Sequence, residues 1–514
     1  MKIPGMSAGA FFALLPFCAA AADTIPLDAT RQLFLDDYVV ASAKNVRRVI
    51  HSARKFSGNP VLDNGILYGS VIRDGSKYRM WYFAGHAVAY AESLDGIAWV
   101  KPEFDFVPMG GRRTNLIAGR RAGSGSHQET LPAGTSPEVA WPHFYELFGV
   151  YKDAADPAPS RRYKMGVLDL DFEYKGTAGD PFHEGQRRGL GVSASGDGIH
   201  WTVLREFATE AICDGGTHWM FDPSRRKYIL YGRTKFLPPE TAEAWGFNGP
   251  PGLRIAPALH QWIQGHTWGR AVARLESPDF LEWDYTRGGT APVVIAPDTG
   301  GLPGDEPYDM MVFPYEGIYI GLVKVYHNLP DDPTLDVQLT VSRDTRHFAR
   351  VGDRTPFLPV GNVGEWDRFN HSLPTNPPIA VGDELRFYYS GSNVRHSPYS
   401  GPDSAPRTDA IGFASIPRDR FVSLAASFDS GVVLTKRLKI AGAAFHVNAK
   451  ADFGEILVEA LDEAGRVTAA SRPLRRDALD IPIEWQTGVP PKAGDTVALR
   501  FTLKNAHLFA LWCS

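Results

Sequence analysis

Five stretches of the chain alternate large apolar side chains with polar or small ones, each just after a polar turn. They are DGSKYRMWYF (74–83), SRRYKMGVL (160–168), SRRKYILYG (224–232), YEGIYIGLV (315–323) and VGDELRFYYSG (381–391). Successive strand side chains point to opposite faces, so each stretch predicts a hairpin whose returning strand buries an aromatic face. A second phrase, S-x-D-x-x-x-[W/F], recurs between them: SLDGIAW (93–99), SGDGIHW (195–201), SPDFLEW (277–283) and SRDTRHF (342–348). Ser and Asp bend a chain by bonding nearby backbone, and the aromatic that follows enters the next strand. Trp99, Trp201, Trp283, Asp95, Asp197 and Asp279 therefore read as turn and packing residues, not ligands.

The order within a unit is constant: strand, turn, aromatic strand, S-x-D turn, last strand. Five such units predict a five-bladed β-propeller, whose short sheets pack around an axis and shelter one another's edges. The fifth unit has DAIGFASIPRDRFVSL (409–424) where the S-x-D turn would fall, and QLFLDDYVVAS (32–42) is a candidate strand to complete it. From about residue 426 the pattern becomes an unbroken period of two, continuing through DTVALRFTL (495–503) and HLFALW (507–512), which predicts a β-sandwich. The expected fold is all-β: a five-bladed propeller over 23–425 followed by a sandwich over 426–514.

Composition agrees with many short strands, because 51 Gly and 39 Pro are spread through 514 residues. A net charge of −4 with scattered Lys and Arg points away from nucleic acid. Residues 1–22 read as a secretory signal: Lys2, the apolar AFFALLPFCAA, then small residues up to a cleavage site near Ala22. The apolar run is too short to span a bilayer, so the expected location is secreted or periplasmic, with no membrane span. Cys213 and Cys513 then remain, in separate domains, and no disulfide is expected.

The innermost strands of a propeller converge on its axis, so residues near their starts share one pocket. The five units offer Asp63 and Tyr68; Glu138 and His143; Asp214, Thr217 and His218; Asp305, Glu306 and Asp309; and Asp367, Asn370 and His371. A charge carried into a narrow channel is costly unless it is paired or does chemistry. Carboxylates held close push their pKa values apart, giving the acid and the base that glycosidic cleavage needs. Asp63 and Asp305 lie in turn-rich context and read as surface or capping residues. Asp214, Glu306 and Asp309 are the expected catalytic residues. Glu138, His143, His218, His371, Asn370, Tyr68, Trp219 and Arg270 are the expected substrate contacts. No cofactor is implied; His143, His218 or His371 would be the ligands were a divalent metal held at the axis. G-x-S-x-G, G-x-x-x-x-G-K-[S/T], H-E-x-x-H and C-x-x-C motifs are absent from the sequence.

QLFLDDYVV, SGNPVL, SLDGIAWVKPEF, YEGIYIGL and YYSGSN together resemble secreted bacterial five-bladed propellers similar to glycoside hydrolase families 32 and 43. The resemblance spans residues 31–425, and the sequence after it looks like the sandwich appended in that group. It implies a funnel-shaped axial pocket, a carbohydrate substrate and three acidic residues from different blades. The acid in that group is commonly Glu, which favours Glu306 as proton donor, with Asp214 or Asp309 activating water or attacking the anomeric carbon. The WMNDPNG opening and the E-C-P motif are missing, so these roles rest on position within the units. The expected activity is cleavage of a plant or algal oligosaccharide. Two alternatives remain: a non-catalytic sugar binder stacking on Tyr68, Trp81, Trp219 and Trp366, and a polysaccharide lyase. The lyase would use His218, His371 and Tyr308, with Arg233 or Arg270 neutralising a uronate.

Overall fold

The computed structural model describes residues 24–124, 130–154, 156–174, 187–210, 215–234, 270–285, 291–298, 300–301, 305–327, 333–396 and 406–514. Among them every regular element is a strand except one short 3-10 turn, Pro159–Arg161. No helix among the described residues is long and apolar enough to cross a membrane.

The predicted hairpins form five successive antiparallel meanders. The first sheet runs Ile66–Asp74, Lys77–Ala84, Ala87–Ser93 and Trp99–Val100, and the second Phe144–Lys152, Tyr163–Asp171, Arg187–Ser195 and Thr202–Thr209. The third is His218–Asp222, Lys227–Thr234, Ala271–Ser277 and Val293–Ile295; the fourth is Asp305–Tyr315, Ile318–His327, Thr334–Ser342 and Ala349–Arg350. In the fifth, Asn370–Ser372, Glu384–Ser392 and Asp409–Pro417 lie side by side. Opening strands of consecutive sheets touch from the first to the fourth, and that of the fifth touches that of the first. Arg54–Lys55 and Leu62–Asp63 pair with Asp409–Pro417, so chain from just before the first sheet completes the fifth.

The S-x-D turn is built the same way four times. Ser93 Oγ accepts the Gly96 N–H at 2.9 Å, and Asp95 Oδ1 accepts those of Ile97 and Ala98 at 2.8 and 2.9 Å. The same bonds recur at Ser195 and Asp197, Ser277 and Asp279, and Ser342 and Asp344. The residue after each Asp has positive φ: 75° at Gly96, 80° at Gly198, 73° at Phe280 and 69° at Thr345. Glycine adopts that conformation without strain; Phe280 and Thr345 do so because the turn's bonds hold them there.

The neighbouring hairpin clamps the turn. Arg386 Nη1 donates to Asp95 O and Tyr388 Oη to Gly96 O, at 3.0 and 2.7 Å. Arg79 Nη2 and Trp81 Nε1 donate to Asp197 O and Gly198 O at 2.6 and 2.7 Å. Arg225 Nη2 and Tyr231 Oη reach Asp344 O and Thr345 O at 3.1 and 3.0 Å. These latches join fifth to first, first to second and third to fourth. Asp419, with φ of 69°, substitutes for the missing turn of the fifth unit, its Oδ1 accepting from Tyr315 Oη at 2.7 Å.

The expected propeller span of 23–425 does not hold at its N-terminal end. Ile25–Leu27 pairs with Leu438–Ile440, Val40–Lys44 with Gly431–Thr435, and Arg47–Ile50 with Val422–Ala426. Residues 32–42 therefore belong with the C-terminal sheets and do not complete the fifth meander. Their period-two pattern fits either place; the apolar residues Ile25, Leu27, Phe34 and Val39 are buried with Val458, Leu499, Phe501, Val447, Leu508 and Leu511 in one core. Two sheets contribute to that core. Cys513 is a buried free thiol, and Cys213 lies outside the described residues.

Closure of the fifth sheet carries an ion pair. Lys55 Nζ lies 2.7 Å from Asp367 Oδ2, which also accepts from Tyr389 Oη at 2.8 Å and lies 3.3 Å from His371 Nε2. Burial alone pushes Asp367 up, but His371 and Lys55 outweigh it and hold the carboxyl at about 2, against an ordinary 3.8. A depressed carboxylate stabilises the fold fully above its unfolded pKa and loses that contribution as pH falls through the folded value. Stability should therefore fall between about pH 4 and pH 2 in urea titrations. In Asp367→Asn that step should shrink, and stability at pH 7 should drop by on the order of 3 kcal/mol.

Candidate active site

All five meanders contribute side chains to one cavity of about 260 Å³. The first supplies Tyr68, the second Tyr145 and Glu146, and the fourth Tyr308. The third brings Arg233, with Gly215 just before it and Arg270 at the start of its third strand, while the fifth brings Asn370 and Ser372. His396, Arg407 and Asp409 complete one wall.

The opening strands deliver these groups at irregularities. Pairing slips between Ile66 and Ser70 around Tyr68, between Phe144 and Glu146, and between Pro307 and Asp309 around Tyr308. A bulge re-aims a side chain away from the alternation of a regular strand, which is why bulges cluster at functional sites.

Beneath the cavity floor lies a buried ion pair. Asp309 Oδ2 lies 2.8 Å from Lys324 Nζ and its Oδ1 lies 3.5 Å from His218 Nε2, with Asp309 and Lys324 each 1% exposed. Burial alone pushes Asp309 up; Lys324 and His218 outweigh it and hold the carboxyl below its ordinary range. Burial lowers Lys324, against the opposing pull of Asp309. Tyr68 is pushed well above an ordinary phenol by burial, then by the negative charge of Glu146, Tyr308 and Asp309.

Gly215 and Gly216 are the thin wall between two acids. A Cβ on Gly215 would collide with the Glu146 carboxylate, and one on Gly216, where φ is 81°, with that of Asp309. The two carboxylates are thus roughly 10 Å apart or less, since consecutive Cα atoms are about 3.8 Å apart. Asp214, the residue before them, lies outside the described residues.

The structure sorts the remaining expected residues. Tyr68, Asn370 and Arg270 line the cavity. Glu306 is buried and its Oε2 accepts from Arg270 Nη1 at 2.6 Å, so it supports an arginine of the wall. His218 sits below the floor with Asp309. His371 is fully buried against Asp367 and Tyr389, and belongs to the fifth-sheet closure instead of contacting substrate. Trp219 is likewise corrected: 1% exposed, it packs on Phe280 and closes over Gly166, in the core between sheets. His143 faces Phe207 and Glu206 outside the cavity, and exposed Glu138 lines a separate surface groove with Trp141 and Trp201. Among the described residues no group of three His, Cys, Asp or Glu is placed to hold a metal ion.

Glu146 was absent from the sequence-based selection. Its signal is nonetheless there: YELFGV in the second unit aligns with YDMMVF in the fourth, so Tyr145–Glu146 corresponds to Tyr308–Asp309.

No protein-family model and no curated protein matches the chain. Solved structures do match, distantly. One is an N-acetylgalactosamine deacetylase from F. plautii in complex with blood group B trisaccharide: 16% identity over 78% of this chain and 97% of that one, TM-score 0.40. Another is a thermostable family-43 glycoside hydrolase: 13% identity, 73% and 96% coverage, TM-score 0.41. A third is a family 43 arabinoxylan arabinofuranohydrolase from Bacillus subtilis in complex with cellotetraose: 13% identity, 90% and 99% coverage, TM-score 0.38. Glycoside hydrolases of family 43 and related kinds are thus among the structures this chain is similar to, the group its sequence resembles.

The buried pair generates a test. Asp309→Asn leaves Lys324 without its partner and should cost about 3–5 kcal/mol in urea denaturation. Asp309→Leu combined with Lys324→Met should recover most of that loss, so a double-mutant cycle should show strong coupling.

Proposed function

We propose that the chain is an exported glycoside hydrolase, built as a five-bladed β-propeller with a C-terminal β-sandwich. Its substrate would be a plant or algal oligosaccharide. The observation that carries this reading is the pair of carboxylates about the Gly215–Gly216 wall. Glu146 faces the cavity; Asp309 is held ionised below it by Lys324 and His218.

Glu146, which faces the cavity, would carry a proton to the departing glycosidic oxygen. Asp309 sets the field and steadies Lys324. Glu306 acts through Arg270, which it orients toward the sugar. Asp214 precedes the glycine pair in sequence and lies outside the described residues. Tyr68 and Tyr145 would offer ring surface, and Asn370 and Ser372 hydrogen bonds to hydroxyls, the mix of apolar walls and a few polar groups that sugar sites use.

The non-catalytic binder fares worse on geometry. Trp81 is fully buried and bonded to Gly198, Trp219 is fully buried, and Trp366 stacks on Tyr389. None of the three lines the cavity.

A panel of aryl glycosides and plant and algal oligosaccharides tests the reading. Glu146→Gln should lower turnover roughly 100- to 10,000-fold with the melting temperature nearly unchanged. Gly215→Ala, which forces the Glu146 carboxylate aside, should reproduce much of that loss. Hydrolysis undiminished in Glu146→Gln would remove Glu146 from the chemistry. Binding without hydrolysis across the panel would favour the binder, and unsaturated, ultraviolet-absorbing products would favour elimination.

A further inference from the structure

The cavity wall holds one more reactive group. Tyr308 is the extra residue of the fourth sheet's bulge. Its hydroxyl and His396 Nε2 share a hydrogen bond of 2.7 Å, and both residues line the cavity. Three cations gather on the Tyr308 ring: Arg233 at 4.0 Å from its centroid, Lys324 at 4.5 Å and Arg270 at 5.5 Å. Asp309 is bonded to Lys324 and Glu306 to Arg270; Tyr326 and His396 meet the ring edge-on at 6.3 and 5.0 Å. Among the described residues the expected acids are committed elsewhere, Asp309 below the floor and Glu306 in its ion pair.

We propose that Tyr308, with His396 as acceptor of its proton, is the nucleophile that attacks the anomeric carbon. A nucleophile bonded to a base within hydrogen-bond reach is the arrangement that activates a weakly acidic hydroxyl. This inference rests on the glycosidase reading and adds the identity of the attacking atom.

The step balances. The phenol proton moves to His396, the phenolate oxygen bonds the anomeric carbon, and the glycosidic C–O bond breaks as Glu146 protonates the departing oxygen. Water then attacks the same carbon, gives its proton to Glu146, and releases the Tyr308 oxygen, which takes its proton back from His396. Two displacements at one carbon retain its configuration.

The test begins without a sugar. Methanesulfonyl fluoride transfers its sulfonyl group to a nucleophilic phenolate and expels fluoride. With the intact protein, peptide mass spectrometry should place the modification on Tyr308 ahead of the other tyrosines. His396→Gln should slow that labelling at least tenfold, and Tyr308→Phe should abolish it. On whichever glycoside of the panel is cleaved, Tyr308→Phe should lose at least ~100-fold in turnover with KM little changed, and the wild-type product should form with retained configuration. Labelling that spreads over exposed tyrosines and spares Tyr308 would overturn the proposal, as would an inverted product. Tyr308 labelled as expected, with no glycoside cleaved, would instead overturn the glycosidase reading and leave the reactive phenol standing.

Discussion

The arrangement of the repeats depends on a four-residue turn and on what clamps it. A Ser hydroxyl and an Asp carboxylate accept three backbone N–H groups, which fixes where two carbonyls of the turn point. An Arg and an aromatic hydrogen-bond donor from the adjoining hairpin take those carbonyls. Buried or half-buried backbone carbonyls need partners, so the latch satisfies the turn and fixes the angle between two sheets at once. The same residues bury aromatic surface: Trp81 packs on Tyr90 and Tyr163, and Arg79 lies over all three rings. Sheets so locked bring their opening strands to one place, without which no cavity could draw on five of them.

The charges at the centre follow from that geometry. Five strand ends in a small volume leave little water, and isolated ions there would cost several kcal/mol each. Charges there are accordingly paired: Lys324 with Asp309, Arg270 with Glu306, Arg407 with Asp409. Tyrosine rings face the cations and spread the remaining field. The chemistry of the cavity is therefore held by pairs, and replacing one member alters its partner as much as itself.

Local rules made much of this legible. Turn chemistry and period-two alternation are properties of a few adjacent residues, so the four S-x-D turns and the five hairpins are readable in the sequence, and Asp95, Asp197 and Asp279 do the turning that was expected of them. Partners across the fold were not. His371 and Glu306 look like free functional groups in isolation; Lys55, which pairs with the Asp367 beside His371, and Arg270, which pairs with Glu306, lie far off in sequence. Trp219 beside a histidine reads like a sugar platform, yet a glycine in the neighbouring sheet, Gly166, makes room for it in the core. The strands near residues 25–50 carry an apolar pattern that suits two destinations, and only the long-range pairing with residues 422–440 decides.

Glu146 shows why alternation misleads at the centre of such a fold. In a regular opening strand, side chains point up or down into the cores between sheets, and the strand's edge faces the axis. A residue that is to reach the axis must break the alternation. Tyr68, Glu146 and Tyr308 all sit at slips in pairing, so the alternation of the flanking residues does not show which side chains reach the axis. The productive search in a sequence of this kind is for a Tyr–acid or Tyr–Gly pair embedded in an otherwise apolar opening strand. YG at 68–69, YE at 145–146 and YD at 308–309 meet that description, and each puts its tyrosine on the cavity wall.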